Sequence, residues 1–296
     1  MKFKKRKFAI VGGDLRQIKL SQYLSKKGYE VSIFGFDKNK IELKKNIMIS
    51  PSLKKTMEDI DIVIGPIPCS RDNTTLFTKY YEGKILLKDL FKCIPRDKIF
   101  MAGNITPEMK IILDNKKVKV IDLLKREELA ILNAIPTGEG AIQYAMENSD
   151  ITLNGSECLV LGYGRCGKVL ANMLKGLGAN TTVEARNFKD LAYIKSYGYK
   201  ALHLKDLKKH IGKFDFIFNT IPSLILNKEI LNEIKENALI IDLASKPGGV
   251  DYDAAKELGI KAISVLSLPG KVAPESAALI IYNTIFNVCA EMGVTL

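Results

Sequence analysis

Tryptophan is absent from the 296 residues, and histidine occurs only twice, at His203 and His210. Cysteine is sparse: Cys69, Cys93, Cys158, Cys166 and Cys289 form an odd set with no C-x-x-C pair. That scarcity excludes the usual metal-ligand spacings, and no metal is expected. It also favours reduced thiols in a cytoplasmic protein over a disulfide framework. No apolar run approaches the ~18 residues needed to cross a bilayer, so no membrane contact is expected. The run Phe8–Val11 behind the basic tip is too short for a secretion signal. Acid is the scarcer charge, with 33 Asp+Glu against 45 Lys+Arg and a net charge of +12. Lys2, Lys4, Lys5, Arg6 and Lys7 crowd the first seven residues, but the other lysines are dispersed. A mild positive field suits small anions. Without a recognition helix, RNP or zinc-finger pattern it does not suggest nucleic acid.

What is present is alternation. Short apolar runs at Lys7–Gly12, Glu30–Phe34, Ile60–Ile64, Lys98–Met101 and Val118–Ile121 read as strands. Helical patterns at Leu15–Lys27, Lys88–Cys93 and Thr106–Asn115 separate several of them. A second series follows, with strands at Glu157–Leu161, Thr181–Ala185, Ala201–Leu204, Phe214–Asn219, Leu239–Leu243 and Lys261–Val265. Its helices include Arg165–Lys175, Lys228–Ile234 and Tyr252–Leu258. Strands that are apolar throughout, with helices between them, imply parallel sheets covered on both faces. The class is therefore α/β, with two Rossmann-like doubly wound parallel-sheet domains. The expected boundaries are residues 1–130 for the first domain, 131–150 for a linking helix, and 151–273 for a nucleotide domain. Within Arg126–Ser149 the stretch Ile135–Gly140 reads as a break between two helices. The last helix, Pro274–Glu291, is apolar enough to be buried and is expected to rejoin the first domain.

Gly162-Tyr163-Gly164-Arg165-Cys166-Gly167 is G-x-G-x-x-G between a strand and a helix, the context the dinucleotide fingerprint requires. Gly162 permits the tight turn, Gly164 close approach of a pyrophosphate, and Gly167 close packing of helix on strand. The helix then offers free N–H groups to the anion through Arg165, Cys166 and Gly167. The second strand ends Val183-Glu184-Ala185-Arg186-Asn187. An NAD enzyme usually carries an acid at the position that falls to Ala185. A small residue followed by Arg186 and Asn187 suits the 2′-phosphate of NADP, with NAD remaining possible. Glu184, one residue earlier, should face the other side of the sheet.

Ligands in open α/β sheets lie beyond the carboxyl ends of the strands. Asn219, Thr220 and Pro222 follow the fourth strand of the second series, and Ser245 and Lys246 the fifth. Lys246 could hold a substrate carboxylate or exchange a proton. Thr137 and Glu139 sit at the expected hinge, and Glu139 or Lys246 is the candidate catalytic group. In the first domain Gly13, Asp14 and Arg16 follow the first strand. Asp14 could be an N-cap, and Arg16 could meet an anion.

These residues resemble one family, the A subunits of dipicolinate synthase. The marks are Val11-Gly12-Gly13-Asp14 with Arg16-Gln17, Asn133–Thr137 with Glu139-Gly140, and Gly162–Gly167. Further marks are Asn219–Ser223, Asp242–Ser245 with Pro247–Gly249, and Leu268–Gly270 with Val272–Pro274. Lys246 stands where a relative carries Arg, which keeps the charge and loses the forked geometry. The resemblance implies a layout like that of 2-hydroxy-acid dehydrogenases. It implies NAD(P)-dependent oxidation of dihydrodipicolinate, formed from 4-hydroxy-tetrahydrodipicolinate, to dipicolinate. It also implies partnership with a flavoprotein-like B subunit and a place in the mother-cell cytoplasm during sporulation; apart from the resemblance, a homo-oligomer is expected as well. The dicarboxylate would be held among Gly13, Asp14, Arg16, Thr137, Lys246, Pro269 and Gly270. Two alternatives stay open: another NADP-dependent 2-hydroxy-acid or shikimate-type dehydrogenase, and a non-catalytic NADP-binding regulatory subunit.

Overall fold

The computed structural model describes residues 5–43 and 47–296. Lys2 and Lys4 of the basic tip lie outside the described residues. The chain divides into two compact units, Met1–Leu132 with Ala273–Leu296, and Asn133–Val272.

The first unit holds six strands: β1 Lys7–Val11, β2 Glu30–Phe34, β3 Met48–Ile49, β4 Ile62–Ile64, β5 Ile99–Ala102 and β6 Lys119–Asp122. They form one sheet in the order β3-β2-β1-β4-β5-β6, with every pair parallel. In β1 alternate side chains enter different cores. Phe8 and Ile10 join one, and Ala9 and Val11 the other. A strand covered on both faces has no polar side to alternate with, hence its unbroken apolar sequence. The helix Leu15–Lys26 sends Ile18, Leu20 and Leu24 into the same core as Ile281, Ile285 and Val288 of the helix Pro274–Glu291. Each such buried side chain contributes roughly 1.5–3 kcal/mol, enough to bind the end of the chain to its beginning. The two-residue β3 escapes sequence reading because it is too short to show a period.

The second unit repeats the design with β7 Glu157–Leu161, β8 Asn180–Ala185, β9 Lys200–His203, β10 Phe216–Asn219, β11 Leu239–Asp242 and β12 Lys261–Ser264. Its order is β12-β11-β10-β7-β8-β9, again all parallel. The order reverses beside β7, between β8 and β10, and this switch point is where such sheets open a crevice.

One expectation is corrected. Ile135–Gly140 is no break: a single helix runs Glu127–Glu147 with Pro136 inside it. The Thr137 hydroxyl donates to the Asn133 carbonyl at 2.7 Å beside the proline. The glycines serve packing rather than turning. A Cβ on Gly138 would lie 2.8 Å from Met173 Sδ, and one on Gly140 would lie 3.0 Å from Leu268. Between the expected strand Lys261–Val265 and the expected helix Pro274–Glu291, Leu268–Val272 forms a further short helix. Among the described residues no helix is long and apolar enough to cross a membrane.

Candidate nucleotide site

The turn after β7 is built from backbone. Gly162 takes φ +91°, a conformation that L side chains rarely adopt. A Cβ on Gly167 would lie 2.0 Å from the Gly162 carbonyl oxygen, so the turn and the helix Arg165–Gly176 can meet only there without one. Gly164 is the N-cap, and it has no side chain to satisfy the first N–H groups. A Cβ at Gly164 would touch nothing within 4 Å. The helix therefore begins without a side-chain cap and beside open space, the arrangement that accepts a phosphate.

A cavity of about 550 Å³ opens beside this turn. Gly162, Tyr163 and Gly164 form one wall, Glu184–Asn187 with Asp190 a second, and Thr220–Ile225 a third. The structure thus brings Gly162, Gly164, Arg186, Asn187, Thr220 and Pro222 together. Arg165, Cys166 and Gly167 occupy the first helical turn beside them. Burial pushes the Cys166 thiol above its usual range, so it is a packing group rather than a reactive one. Thr220 is fixed by its hydroxyl, which donates to the Leu161 carbonyl at 2.8 Å.

At the end of β8 the alternation holds. Val183 and Ala185 pack into the core shared with the helix Arg165–Gly176, while Glu184 lies opposite Leu161 of β7, which belongs to the core on the other face. The Glu184 carboxylate instead accepts from the Gly162 N–H at 3.1 Å and borders the cavity with 1% exposure. Burial raises its pKa, while the Gly162 hydrogen bond and the Arg186 charge oppose the shift. Arg186 itself is exposed. Asn187 caps the next helix, accepting from the Asp190 N–H at 2.8 Å.

A second set of contacts was missed by sequence reading. Asn219 is fully buried, and its side chain donates to Asp242 Oδ1 at 2.8 Å. It also exchanges hydrogen bonds of 3.1 Å with the Ile221 backbone. Its side chain is therefore spent on protein rather than facing the cavity, where it was expected. Asp242 accepts in addition from the Ala244 N–H at 3.1 Å and the Tyr252 hydroxyl at 2.8 Å. Burial and this bond both raise the Tyr252 pKa, which keeps the hydroxyl a donor. The network ties the loop after β10 to the loop after β11, which carries Ser245 and Lys246. Both are exposed beyond the strand end, outside the cavity lining. No hydrogen bond or ion pair engages the Lys246 ammonium among the described residues.

The remaining expected residues are not gathered at this cavity. Glu139 lies on an exposed face of its helix, in a groove with Ile142, Met146, Met173 and Leu177, toward the far end of the fingerprint helix. Thr137 is turned back on its own helix. Pro269 and Gly270 fall inside the short helix Leu268–Val272. In the first unit, Asp14 and Gln17 form a capping box on the helix Leu15–Lys26. Arg16 is 6% exposed and binds Asp14 through two hydrogen bonds of 2.9 Å. Gly13 continues that turn at φ +106°, where a Cβ would lie 2.4 Å from Gln17 Oε1.

Comparison with known proteins gives consistent results. The family of dipicolinate synthase A-subunit N-terminal domains matches residues 7–124. Alanine dehydrogenase/PNT, C-terminal domain, matches residues 145–293. The chain is 35% identical over 291 residues to the dipicolinate synthase A subunit of Bacillus subtilis, covering 97% of this chain and 96% of that protein. It superposes on the crystal structure of the dipicolinate synthase A subunit from Bacillus halodurans with a TM-score of 0.86 and 30% identity, covering 96% and 98% of the two chains. A transhydrogenase from Sinorhizobium meliloti shares the fold at 13% identity and a TM-score of 0.72, over 97% and 94% of the chains.

Proposed function

Because this chain belongs to the family of dipicolinate synthase A subunits, we propose that it oxidises dihydrodipicolinate to dipicolinate with NADP. The observation that carries the cofactor half is the uncapped helix at Gly164 facing open space beside the β8 end. The N–H groups of the Arg165–Gly167 turn would hold the diphosphate. Ala185 leaves room beside the adenosine ribose, and the Arg186 guanidinium would pair with a 2′-phosphate. Thr220 and Pro222 flank the ribose. A bound nicotinamide supplies the hydride acceptor.

The substrate is a dianion that loses a hydride from one ring carbon and a proton from the neighbouring atom, and the ring becomes aromatic. Aromatisation supplies much of the driving force, so the protein's task is chiefly alignment and proton removal. Lys246, which has no hydrogen bond or ion pair among the described residues, would hold a carboxylate and take part in the proton transfer. Arg16 already has a carboxylate of its own in Asp14, which leaves Lys246 the better placed of the two cations. A dehydrogenase of the 2-hydroxy-acid type would need a histidine acid–base group at these loops. Neither histidine serves: the His203 ring stacks on Phe188 at 5.4 Å and its Nδ1 accepts from the Lys205 N–H, while His210 ends a short helix. The family also points to partnership with a B subunit, and to the mother-cell cytoplasm for the setting.

The test is the absorbance of reduced nicotinamide after adding freshly made 4-hydroxy-tetrahydrodipicolinate, with and without the B subunit. Formation of NADPH and dipicolinate in equal amounts is expected. Nucleotide binding with no turnover in either mixture overturns the enzymatic reading and favours a regulatory role.

A further inference from the structure

Behind the fingerprint turn lies a separate pocket of about 310 Å³. Its walls are Tyr163, Tyr193, Tyr197 and Tyr199, with Lys168 and Asn172 on the fingerprint helix. Among the described residues no carboxylate lines it. The Lys168 ammonium stands 5.0 Å from the Tyr163 ring centre and makes no hydrogen bond or ion pair among the described residues. A second ammonium, on Lys175, sits 5.1 Å over the Tyr199 ring and donates to the Tyr197 carbonyl at 2.9 Å. Of the four tyrosines, Tyr163 is buried, Tyr199 half-buried, and Tyr193 and Tyr197 exposed, so the pocket offers ring carbon and O–H donors together at the surface. Burial raises the pKa of Tyr163 and Tyr199, so both stay protonated and able to donate to an anion. An aliphatic ligand would use the charge and waste the faces, and a neutral ring would use the faces and waste the charge.

We propose that this pocket binds a small planar aromatic carboxylate and that its occupancy alters nucleotide binding through Tyr163. Tyr163 borders both this pocket and the nucleotide cavity, and it sits between Gly162 and Gly164 in the turn that receives the diphosphate. A ligand that holds or displaces its ring acts on the position of those two glycines. The assignment concerns a site outside the reaction centre and does not depend on which substrate is oxidised.

The experiment uses the full chain labelled with 3-fluorotyrosine and observed by fluorine NMR. Benzoate and pyridine-2,6-dicarboxylate are the probes, and cyclohexanecarboxylate is the non-aromatic control. Both aromatic probes should shift tyrosine resonances saturably, and benzoate should change the NADPH dissociation constant at least threefold. Lys168→Gln and Tyr197→Ser should each weaken probe binding at least tenfold and abolish that change. The same variants should bind NADPH without a probe as the parent does, which separates this pocket from the nucleotide site. No saturable shift, equal binding of cyclohexanecarboxylate, or an unchanged response in Lys168→Gln each overturns the site. Saturable binding with a constant NADPH affinity overturns the coupling.

Discussion

The two units share one strand order and treat the turn after their first strand in opposite ways. After β1, the turn Gly12–Gly13 leads to Asp14, whose carboxylate caps the following helix, while Gln17 returns a bond to the Asp14 N–H. Arg16 then neutralises Asp14. Side chains of the same turn thus serve that helix start from inside the chain. After β7, Gly164 occupies the N-cap and supplies nothing. The contrast shows that the doubly wound sheet alone does not make a nucleotide site. Binding requires a helix end left unsatisfied, and the first unit has used its own end for stability.

Gly164→Asp removes that distinction. Space is open for the side chain, and the backbone at Gly164 is already extended at φ −81°. The new carboxylate should cap the helix and raise stability by about 1 kcal/mol. It should also repel the diphosphate and occupy its donors, weakening nucleotide binding at least a thousandfold, or about 4 kcal/mol. Calorimetric titration and thermal melts read both effects. Retained binding would show that the phosphate lies elsewhere.

Arg16→Ala tests the other side of the contrast. The change leaves Asp14 buried without its guanidinium, and stability should fall by about 3 kcal/mol. NADPH affinity should stay within a factor of two, because the proposed nucleotide site is at the turn after β7. A large loss of affinity with stability intact would give Arg16 a binding role instead.

Arg186→Ala sharpens the assignment of the second unit. Losing the proposed charge-assisted contact should weaken NADP binding by about 2 kcal/mol and leave NAD nearly unaffected. An equal loss with both coenzymes would remove Arg186 from the 2′-phosphate.

The fingerprint was legible because its residues are neighbours in sequence and its physics is local. The alternation that sends Glu184 away from the Ala185 face was legible for the same reason. The reach of Glu184 back to the Gly162 N–H was not, because the contact depends on parallel register between β7 and β8, which sets Leu161 opposite Glu184. The Asn219–Asp242–Tyr252 network was hidden likewise, its members lying on three separate elements. Pro136 and its flanking glycines misled because the same residue types serve turns and tight helix packing. Only the neighbouring Met173 and Leu268 distinguish those uses.

The smallest expected effect concerns Glu184, which has no counterpart at the equivalent turn of the first unit. Burial raises its pKa in the folded chain above the free value of 4.5. Below about pH 4.5 the carboxyl is protonated whether the chain is folded or unfolded, and burial carries no ionic penalty. As pH rises through the raised folded value, the group must ionise in a buried place, and the folded state loses stability relative to the unfolded one. Glu184→Gln keeps an acceptor for the Gly162 N–H and removes the ionisation. The variant should therefore melt with the parent at pH 4 and above it at pH 8, the gap opening between those limits. A gap of constant size across that range would mean that the carboxylate is not desolvated, and that Glu184 acts at this turn only through its hydrogen bond.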